Sequence, residues 1–222
     1  MTRTRIARRL PALTAAAVLA SLALAPAAAA ADTAAAPTLA EALAALPVAD
    51  ESRTGYDRDL FRHWVDEDGD GCRTRQEVLI AEAVTAPAVD EDCKVTGGTW
   101  YSYYDETTVE GPAKLDIDHL VPLAEAWDSG ASAWTPERRE AYANDLGDEI
   151  PLIAVTARSN RSKADQDPAQ WMPPSQGAAC RYVHEWVSVK TRWGLAVDAA
   201  EAEALGAIVS ACPDAVVTIA PA

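Results

Sequence analysis

The sequence predicts an α+β fold that is held by two disulfide bonds. Amphipathic segments with helical spacing of apolar residues flank a central region rich in Thr, Tyr, Trp and Val. Two short strand-like segments, LDIDH and IPLIAVT, follow that region. Four cysteines remain after an apparent export signal, and an even number in an exported chain indicates disulfides. We therefore expect helices packed around a small β-structure.

The first 31 residues have the features of a secretory signal peptide. Several arginines in MTRTRIARRL precede a run without charge from Ala12 to Ala25, and small residues surround Ala31. The apolar run is shorter than the roughly 20 residues that a membrane-spanning helix needs. We expect cleavage near Ala31 and a secreted, monomeric protein that does not bind membranes.

Beyond the leader, we expect a flexible Ala-rich segment over residues 32–54 and a single domain over residues 55–222, with its core motif at 115–174. The chain is acidic, with 19 Lys and Arg against 34 Asp and Glu and a formal net charge of −15. This balance excludes a protein that depends on nonspecific attraction to polyanions. A local basic strip and a bound cation can still invert the field at one site, so a nucleic-acid enzyme stays compatible with the composition.

The elements follow from the patterns in order. GYDRDLFRHWV and TRQEVLIAEAV predict a helix on each side of an acidic loop, and KVTGGTWYSYYDETTV predicts a hairpin around Gly97 and Gly98. Helices are expected in PLAEAWDSG, in TPERREAYAND and directly after Thr156, and two more in the tail, separated by Gly194. The first tail helix carries the expected core residues Tyr182, Val183, Trp186, Val189 and Trp193.

The four cysteines allow three pairings. Their spacing favours Cys72 with Cys93 and Cys180 with Cys212, because the second bond would join the start of one predicted helix to the end of the next in an antiparallel hairpin. A zinc site is the competing interpretation. The sequence has no CxxC pair and the compartment is oxidising, which favours disulfides.

The segment DEDGDGCRTRQE matches the calcium loop of an EF-hand position by position, including a glycine at the sharp turn. A cysteine is compatible with this pattern, because its position contributes only a backbone carbonyl. The sequence therefore predicts a structural Ca²⁺ ion at 66–77, and the competing interpretation is an acidic turn that needs no ion. The expected ligands are Asp66, Asp68, Asp70, Cys72 and Glu77.

A histidine that follows an aspartate ends the first strand of the core motif, and an asparagine lies in the helix after the second strand. The order strand, strand, helix brings Asp118, His119 and Asn160 within reach of one point. A neutral imidazole suits a general base, and carboxylate and amide oxygens suit Mg²⁺ or Mn²⁺. Asp116 shares the strand face of Asp118. Taken alone, His119 would more often be a packed strand residue than a catalyst.

These residues stand in stretches that resemble the HNH, or ββα-metal, endonucleases, and most closely the secreted HNH proteins related to the C-terminal domain of GmrSD restriction enzymes. The stretches are DIDHLVPLAEAWDSGA, TPERREAYAND and LIAVTARSNRSKADQDPAQWMPP. The resemblance implies a ββα-metal core with surrounding helices and a metal-dependent nuclease that acts on DNA, with RNA as a second candidate substrate. It assigns His119 as the general base and Asp118 and Asn160 as ligands of one divalent cation.

Three basic residues beside the asparagine are candidate phosphate contacts, and the competing interpretation is a solvated helix face. They are Arg158, Arg161 and Lys163. The other two histidines, His63 and His184, are expected to be packed on apolar helix faces. A function of a different class also fits the sequence, namely a calcium-stabilised binding module of the cell envelope in which the core survives as a scaffold without catalysis.

The sequence departs from the HNH pattern at its middle asparagine, which usually fixes the loop behind the histidine. Depending on the alignment, that position holds Glu149, Ile150 or Pro151. Asn144 and Asp148 are the candidate replacements. This departure concerns a structural role, whereas the expected base and cation ligands are retained.

Overall fold

A computed structural model describes residues 36–212, 215–218 and 222, and within them the chain forms seven α-helices and three small antiparallel sheets of two strands each. The helices are α1 (Leu39–Ala45), α2 (Thr74–Ala81), α3 (Leu123–Asp128), α4 (Pro136–Ala143), α5 (Ala157–Lys163), α6 (Ala179–Trp193) and α7 (Ala199–Val209). The strands are β1 (Ala88–Val89), β2 (Val95–Thr96), β3 (Thr99–Ser102), β4 (Thr107–Glu110), β5 (Leu115–His119) and β6 (Leu152–Thr156).

The N-terminal part of the described chain is packed rather than flexible. The described residues belong to one compact unit, and α1 lies against α6 and α7 with Leu39 and Ala42 buried. Thr38 and Glu41 cap the start of α1 reciprocally. The expectation of a flexible segment over 32–54 is therefore wrong for the residues of α1. The predicted signal peptide lies outside the described residues. None of the described helices has the length and apolar character that crossing a bilayer requires.

The two tail helices form as predicted, and both contribute buried residues to the main core. Gly194 ends α6 in the left-handed conformation, with φ of 66°, which lets the chain reverse into α7. The five expected core residues of α6 are all buried. Cys180 and Cys212 form a disulfide with a Cα–Cα distance of 5.8 Å, so the start of α6 is joined to the end of α7.

The second predicted disulfide, between Cys72 and Cys93, is also present, with a Cα–Cα distance of 5.2 Å. The hairpin between Cys93 and β5 differs from the prediction, because β3 and β4 are joined at residues 103–106 rather than at the glycines. Gly98 instead precedes β3, where an added Cβ would lie 2.8 Å from the Trp100 side chain. This glycine is needed for a close approach and not for the hairpin turn.

The helix predicted over GYDRDLFRHWV does not form. Only a 3₁₀ turn is present, Arg58–Leu60, and the chain then runs irregularly to Val65. Trp64 has a φ of 60°, and the Val65 N–H donates to the Asn144 side chain at 3.1 Å. These tertiary interactions outweigh the helical spacing of the apolar residues, since helix propensity is a weak preference. The acidic loop is consequently followed by a helix but not preceded by one.

The core motif adopts the predicted order of strand, strand and helix. β5 and β6 pair antiparallel, with Leu115 opposite Thr156 and His119 opposite Leu152. Every residue of β6 is buried, which explains its continuous apolar run. The Thr156 side chain accepts a hydrogen bond from the Ser159 N–H and so begins α5 directly at the end of β6.

Candidate active site

His119 lies at the end of β5 and is 6% exposed. Its Nε2 is 2.9 Å from the carbonyl oxygen of Ala143. Because a carbonyl only accepts, Nε2 carries the proton and Nδ1 keeps a lone pair. Burial lowers the pKa of His119 to about 3, the Ala143 contact opposes that shift, and the Arg58 charge adds to it. The imidazole is therefore neutral at physiological pH, which is the form that a general base requires.

Asn144 fixes the segment that carries the Ala143 carbonyl. The Asn144 Nδ2 donates to two backbone carbonyl oxygens at 2.8 Å, and its Oδ1 accepts from the Val65 N–H and, at 2.7 Å, from the Thr74 hydroxyl. Every polar group of this buried amide is thus used. Of the two replacements considered for the missing middle asparagine, Asn144 is the residue that adjoins the partner of the histidine.

Asp118 lies in a buried ion pair with Lys163. The Lys163 Nζ is 2.7 Å and 2.9 Å from the two carboxylate oxygens and 2.9 Å from the His119 carbonyl oxygen. The Tyr104 hydroxyl donates to Asp118 Oδ2 at 2.6 Å. Burial raises the pKa of Asp118 and lowers that of Lys163, and the ion pair opposes both shifts. A phosphate contact of Lys163 is incompatible with this location, since its three N–H groups are occupied inside the interface between α5 and β5.

Asn160 completes the predicted trio. It lines a cavity of about 340 Å³ together with Asp118 and His119. Its Nδ2 donates to Asp116 Oδ2 at 3.4 Å, while its Oδ1 has no hydrogen-bond partner among the described residues. The structure therefore brings the three residues to one cavity, as the order of elements predicted. Sequence reasoning missed two charged residues of the same cavity wall, Arg58 and Asp165.

The oxygen atoms at this cavity fit a hard divalent cation. A carboxylate accepts roughly four hydrogen bonds or metal contacts, and Asp118 uses three of these positions for Lys163 and Tyr104. One position on Asp118 Oδ1 and the Asn160 Oδ1 remain available. Two protein oxygens beside an open cavity suit Mg²⁺ or Mn²⁺, because Mg²⁺ retains several of its waters. Lys163 already neutralises the carboxylate, so we expect low affinity for the cation.

Arg158 and Arg161 remain on the solvent-exposed face of α5. The Arg161 Nε is 3.4 Å from Asp116 Oδ2, and its side chain is 77% exposed. Both arginines line a second cavity of about 800 Å³ with Lys114, and Arg161 also lines the cavity of His119. A strip of positive charge thus runs from the candidate site along α5, on a chain that is acidic as a whole.

Two aromatic rings cover the histidine from the irregular segment before the acidic loop. The ring centroids of His63 and Trp64 lie 6.4 Å and 5.5 Å from that of His119. The His63 Nδ1 contacts the Phe61 carbonyl oxygen at 2.9 Å. His184 lies elsewhere, on α6, where its Nε2 contacts the Val216 carbonyl oxygen. The packing role expected for His63 agrees with these contacts.

The predicted calcium ligands of the acidic loop lie close together. The carboxylate oxygens of Asp66, Asp68 and Asp70 lie within 4.8 Å of one another. The N–H groups of Gly69 and Gly71 donate to Asp66 at 2.8 Å and 3.1 Å, which curls the loop around that carboxylate. Burial and the three aspartate charges raise the pKa of Glu77. Cys72 lies in the disulfide, so its backbone carbonyl is its only ligand oxygen.

Comparisons with known proteins place the chain in a nuclease-related family. Residues 80–208 match the family model of the GmrSD restriction endonucleases, C-terminal domain. The chain is 44% identical over 158 residues to a protein of Arthroderma benhamiae described as an uncharacterized secreted protein, with 71% of this chain and 76% of the relative covered. No solved structure matches the chain. The protein therefore belongs to the GmrSD restriction endonuclease C-terminal domain family, which confirms the predicted relation to that domain.

Proposed function

We propose that the protein is a secreted, metal-dependent HNH endonuclease that hydrolyses phosphodiester bonds of DNA with little sequence specificity, with RNA as a second substrate. The neutral His119 carries this proposal, because it keeps a lone pair on Nδ1 and lines one cavity with Asp118 and Asn160, each of which has an oxygen available for a cation. Export is supported by the predicted leader, the two disulfides and the similarity to a secreted protein of Arthroderma benhamiae.

The chain's own residues account for the proton transfer. Water attacks phosphorus, and its proton passes to Nδ1 of His119 while the new P–O bond forms. The ester P–O bond breaks, and the leaving oxygen takes a proton from solvent. The Ala143 carbonyl accepts from Nε2–H and so stabilises the imidazolium that results. Mg²⁺ or Mn²⁺, held by Asp118 and Asn160, supplies charge neutralisation at the phosphate and the leaving oxygen when bound.

The acidic loop is proposed to bind a structural Ca²⁺ ion through Asp66, Asp68, Asp70, the Cys72 carbonyl and Glu77. The spacing and the convergence of the carboxylates support this role. The loop leads directly into α2, whose first residue, Thr74, bonds to Asn144 and to the Val65 carbonyl. Calcium would therefore stabilise the segment behind His119 without taking part in the reaction.

The ion pair between Asp118 and Lys163 favours a second candidate function. A carboxylate that is already neutralised binds a cation weakly, and a protein that never bound one would be a calcium-stabilised binding module without catalysis. The two functions are distinguished by activity that depends on Mg²⁺ or Mn²⁺ when calcium is held constant.

The test measures nicking of supercoiled plasmid. The protein is first stripped of metal with a chelator and is then given either Ca²⁺ alone or Ca²⁺ together with millimolar Mg²⁺ or Mn²⁺. We expect nicking only in the second condition. His119→Ala should reduce the rate by roughly 10² to 10⁴ because water activation is lost. His184→Ala is the matched control and should nick like the wild type. Melting temperatures are measured on the same preparations.

The proposed enzyme is contradicted by a folded wild type that does not nick DNA or RNA with either cation. The assignment of His119 alone is contradicted by a His119→Ala protein that nicks at an undiminished rate. If His119→Ala instead loses activity only in proportion to the folded fraction, the histidine is a packing residue of β5.

A further inference from the structure

The wall of the His119 cavity includes a residue from outside both the core motif and the family match. Arg58 lies in the 3₁₀ turn Arg58–Leu60, ahead of the matched residues 80–208, and lines the cavity with Asp118, His119 and Asn160. The turn is fixed at both ends. Asp57 accepts from the N–H of Asp59 at 2.9 Å, and Phe61 is completely buried among aromatic rings of the main core.

Arg58 is also available for a ligand. Its side chain is exposed, and no carboxylate of the described residues lies within ion-pair distance of it. Its neighbours in the chain differ in this respect, since Arg53 pairs with Asp128 and Arg62 pairs with Glu140. The Arg58 side chain contacts the Tyr56 hydroxyl, which leaves the positive charge without a carboxylate partner. A guanidinium of this kind in the wall of a polar cavity is suited to an anion, and its planar N–H groups match two oxygens of a phosphate.

The chemistry of the site would gain from such a group in addition to the cation. Attack on phosphorus increases the negative charge on the nonbridging oxygens, and preorganised donors stabilise that charge. Lys163 is excluded from this task because its three N–H groups are bound to Asp118 and the His119 carbonyl. Arg161 is turned toward Asp116. Among the charged residues that line this cavity, Arg58 is the cation without a carboxylate partner.

We propose that Arg58 is a catalytic residue whose guanidinium donates to the nonbridging oxygens of the scissile phosphate in the transition state. This proposal rests on the proposed nuclease function. Arg58 neither gains nor loses a proton, so the proton balance between water, His119 and the leaving oxygen is unchanged. The segment before the acidic loop therefore supplies part of the reaction centre, in addition to the rings that cover His119.

The test compares Arg58→Ala, Arg58→Lys and the control Arg62→Ala in steady-state nicking with Mg²⁺. Arg62 lies four residues further on and pairs with Glu140 on the surface. We expect Arg58→Ala to lower kcat by roughly 10² to 10³ with little change in KM. Arg58→Lys should recover only part of the loss, because an ammonium does not offer paired N–H donors. Added guanidinium at millimolar concentration should raise the rate of Arg58→Ala and leave His119→Ala unchanged.

Each outcome separates the Arg58 proposal from the proposed function. A wild type without nicking overturns both. A wild type that nicks, with Arg58→Ala at the same kcat, overturns the role of Arg58 alone. If Arg58→Ala loses activity, melts at lower temperature and does not respond to guanidinium, Arg58 supports the fold and the catalytic role is overturned as well.

Discussion

At the scale of single residues, Asp118 shows how one carboxylate serves structure and chemistry together. It holds α5 against β5 through Lys163 and at the same time faces the cavity of His119. Removal of one partner from a buried ion pair costs roughly 3 to 5 kcal/mol, because the remaining charge is left without compensation. A change at Asp118 therefore alters both stability and cation binding, which is why His119 and Arg58 are the sharper probes of catalysis.

Glu82, at the end of α2, makes stability depend on pH. Its Oε2 accepts from the Ala154 N–H of β6 at 2.8 Å, and burial raises its pKa from 4.5 to about 7. The folded protein therefore holds a proton there that the unfolded chain releases. The free energy of unfolding should fall as pH rises from about 4.5 to about 7 and then level off at this site.

Glu82→Gln retains the acceptor and removes the titration. We expect the variant to melt a few degrees above the wild type at pH 8 and to match it at pH 4, since roughly 1 kcal/mol corresponds to 2 to 4 °C for a chain of this size. Melting curves across this pH range provide the measurement. An equal difference at every pH would show that Glu82 contributes by packing and not by ionisation.

Whether a residue of the candidate site could be predicted from the sequence depended on how close it lies to the end of a strand or helix. Asp118, His119 and Asn160 were predictable because each lies near an end of a short element, and because β6, which pairs with β5, leads directly into α5. Arg58 was not, because its place in the cavity wall depends on contacts with residues distant in the chain. Asn144 was predicted only as one of two candidates, since its partners Arg62 and Val65 are also distant in the chain. Lys163 was misjudged as a surface residue, since helical spacing alone does not show which side faces β5.

At the scale of elements, the chain before α2 shows where periodicity fails as a predictor. The apolar residues of GYDRDLFRHWV have helical spacing, yet Phe61 and Trp64 reach their partners through an irregular path. The acidic loop keeps its EF-hand spacing without a preceding helix. The helix predicted after the loop is present, whereas the structure before the loop was decided by tertiary contacts. The calcium ion of the loop stays a prediction.

The loop yields a prediction at this scale. Calcium should raise the melting temperature of the wild type by mass action, because only the folded loop presents its ligands together. Asp66→Ala/Asp70→Ala should abolish that calcium-dependent rise, and Glu67→Ala, an exposed acidic residue of the same loop outside the ligand pattern, should retain it. Melting curves are recorded in Ca²⁺ and in chelator with Mg²⁺ constant. An unchanged calcium response in the double variant would remove the proposed ion.

At the scale of the whole molecule, charge is distributed unevenly. The formal net charge is −15, yet the exposed arginines of α5 border the candidate site. Such a protein approaches nucleic acid against its overall field and binds through a few local contacts. We therefore expect weak DNA binding with a shallow dependence on salt.

The salt dependence can be measured with His119→Ala, which should bind DNA without cleaving it. Two or three phosphate contacts predict a slope of roughly −2 to −3 in a plot of log K against log salt. Arg158→Ala/Arg161→Ala should bring the slope close to zero or −1. Arg62→Ala/Lys94→Ala removes the same charge elsewhere and should keep the wild-type slope. A steep slope in the double arginine variant would mean that DNA binds on another surface.

The link between the acidic loop and the cavity wall has a consequence for the cell that makes this protein. The residues that cover His119 lie immediately before a loop that is closed by the Cys72–Cys93 disulfide and is proposed to hold calcium. The cytosol is reducing and poor in free calcium, so neither restraint would form there. We expect the newly made chain to be latent and to mature only after export, which would spare the genome of its own producer.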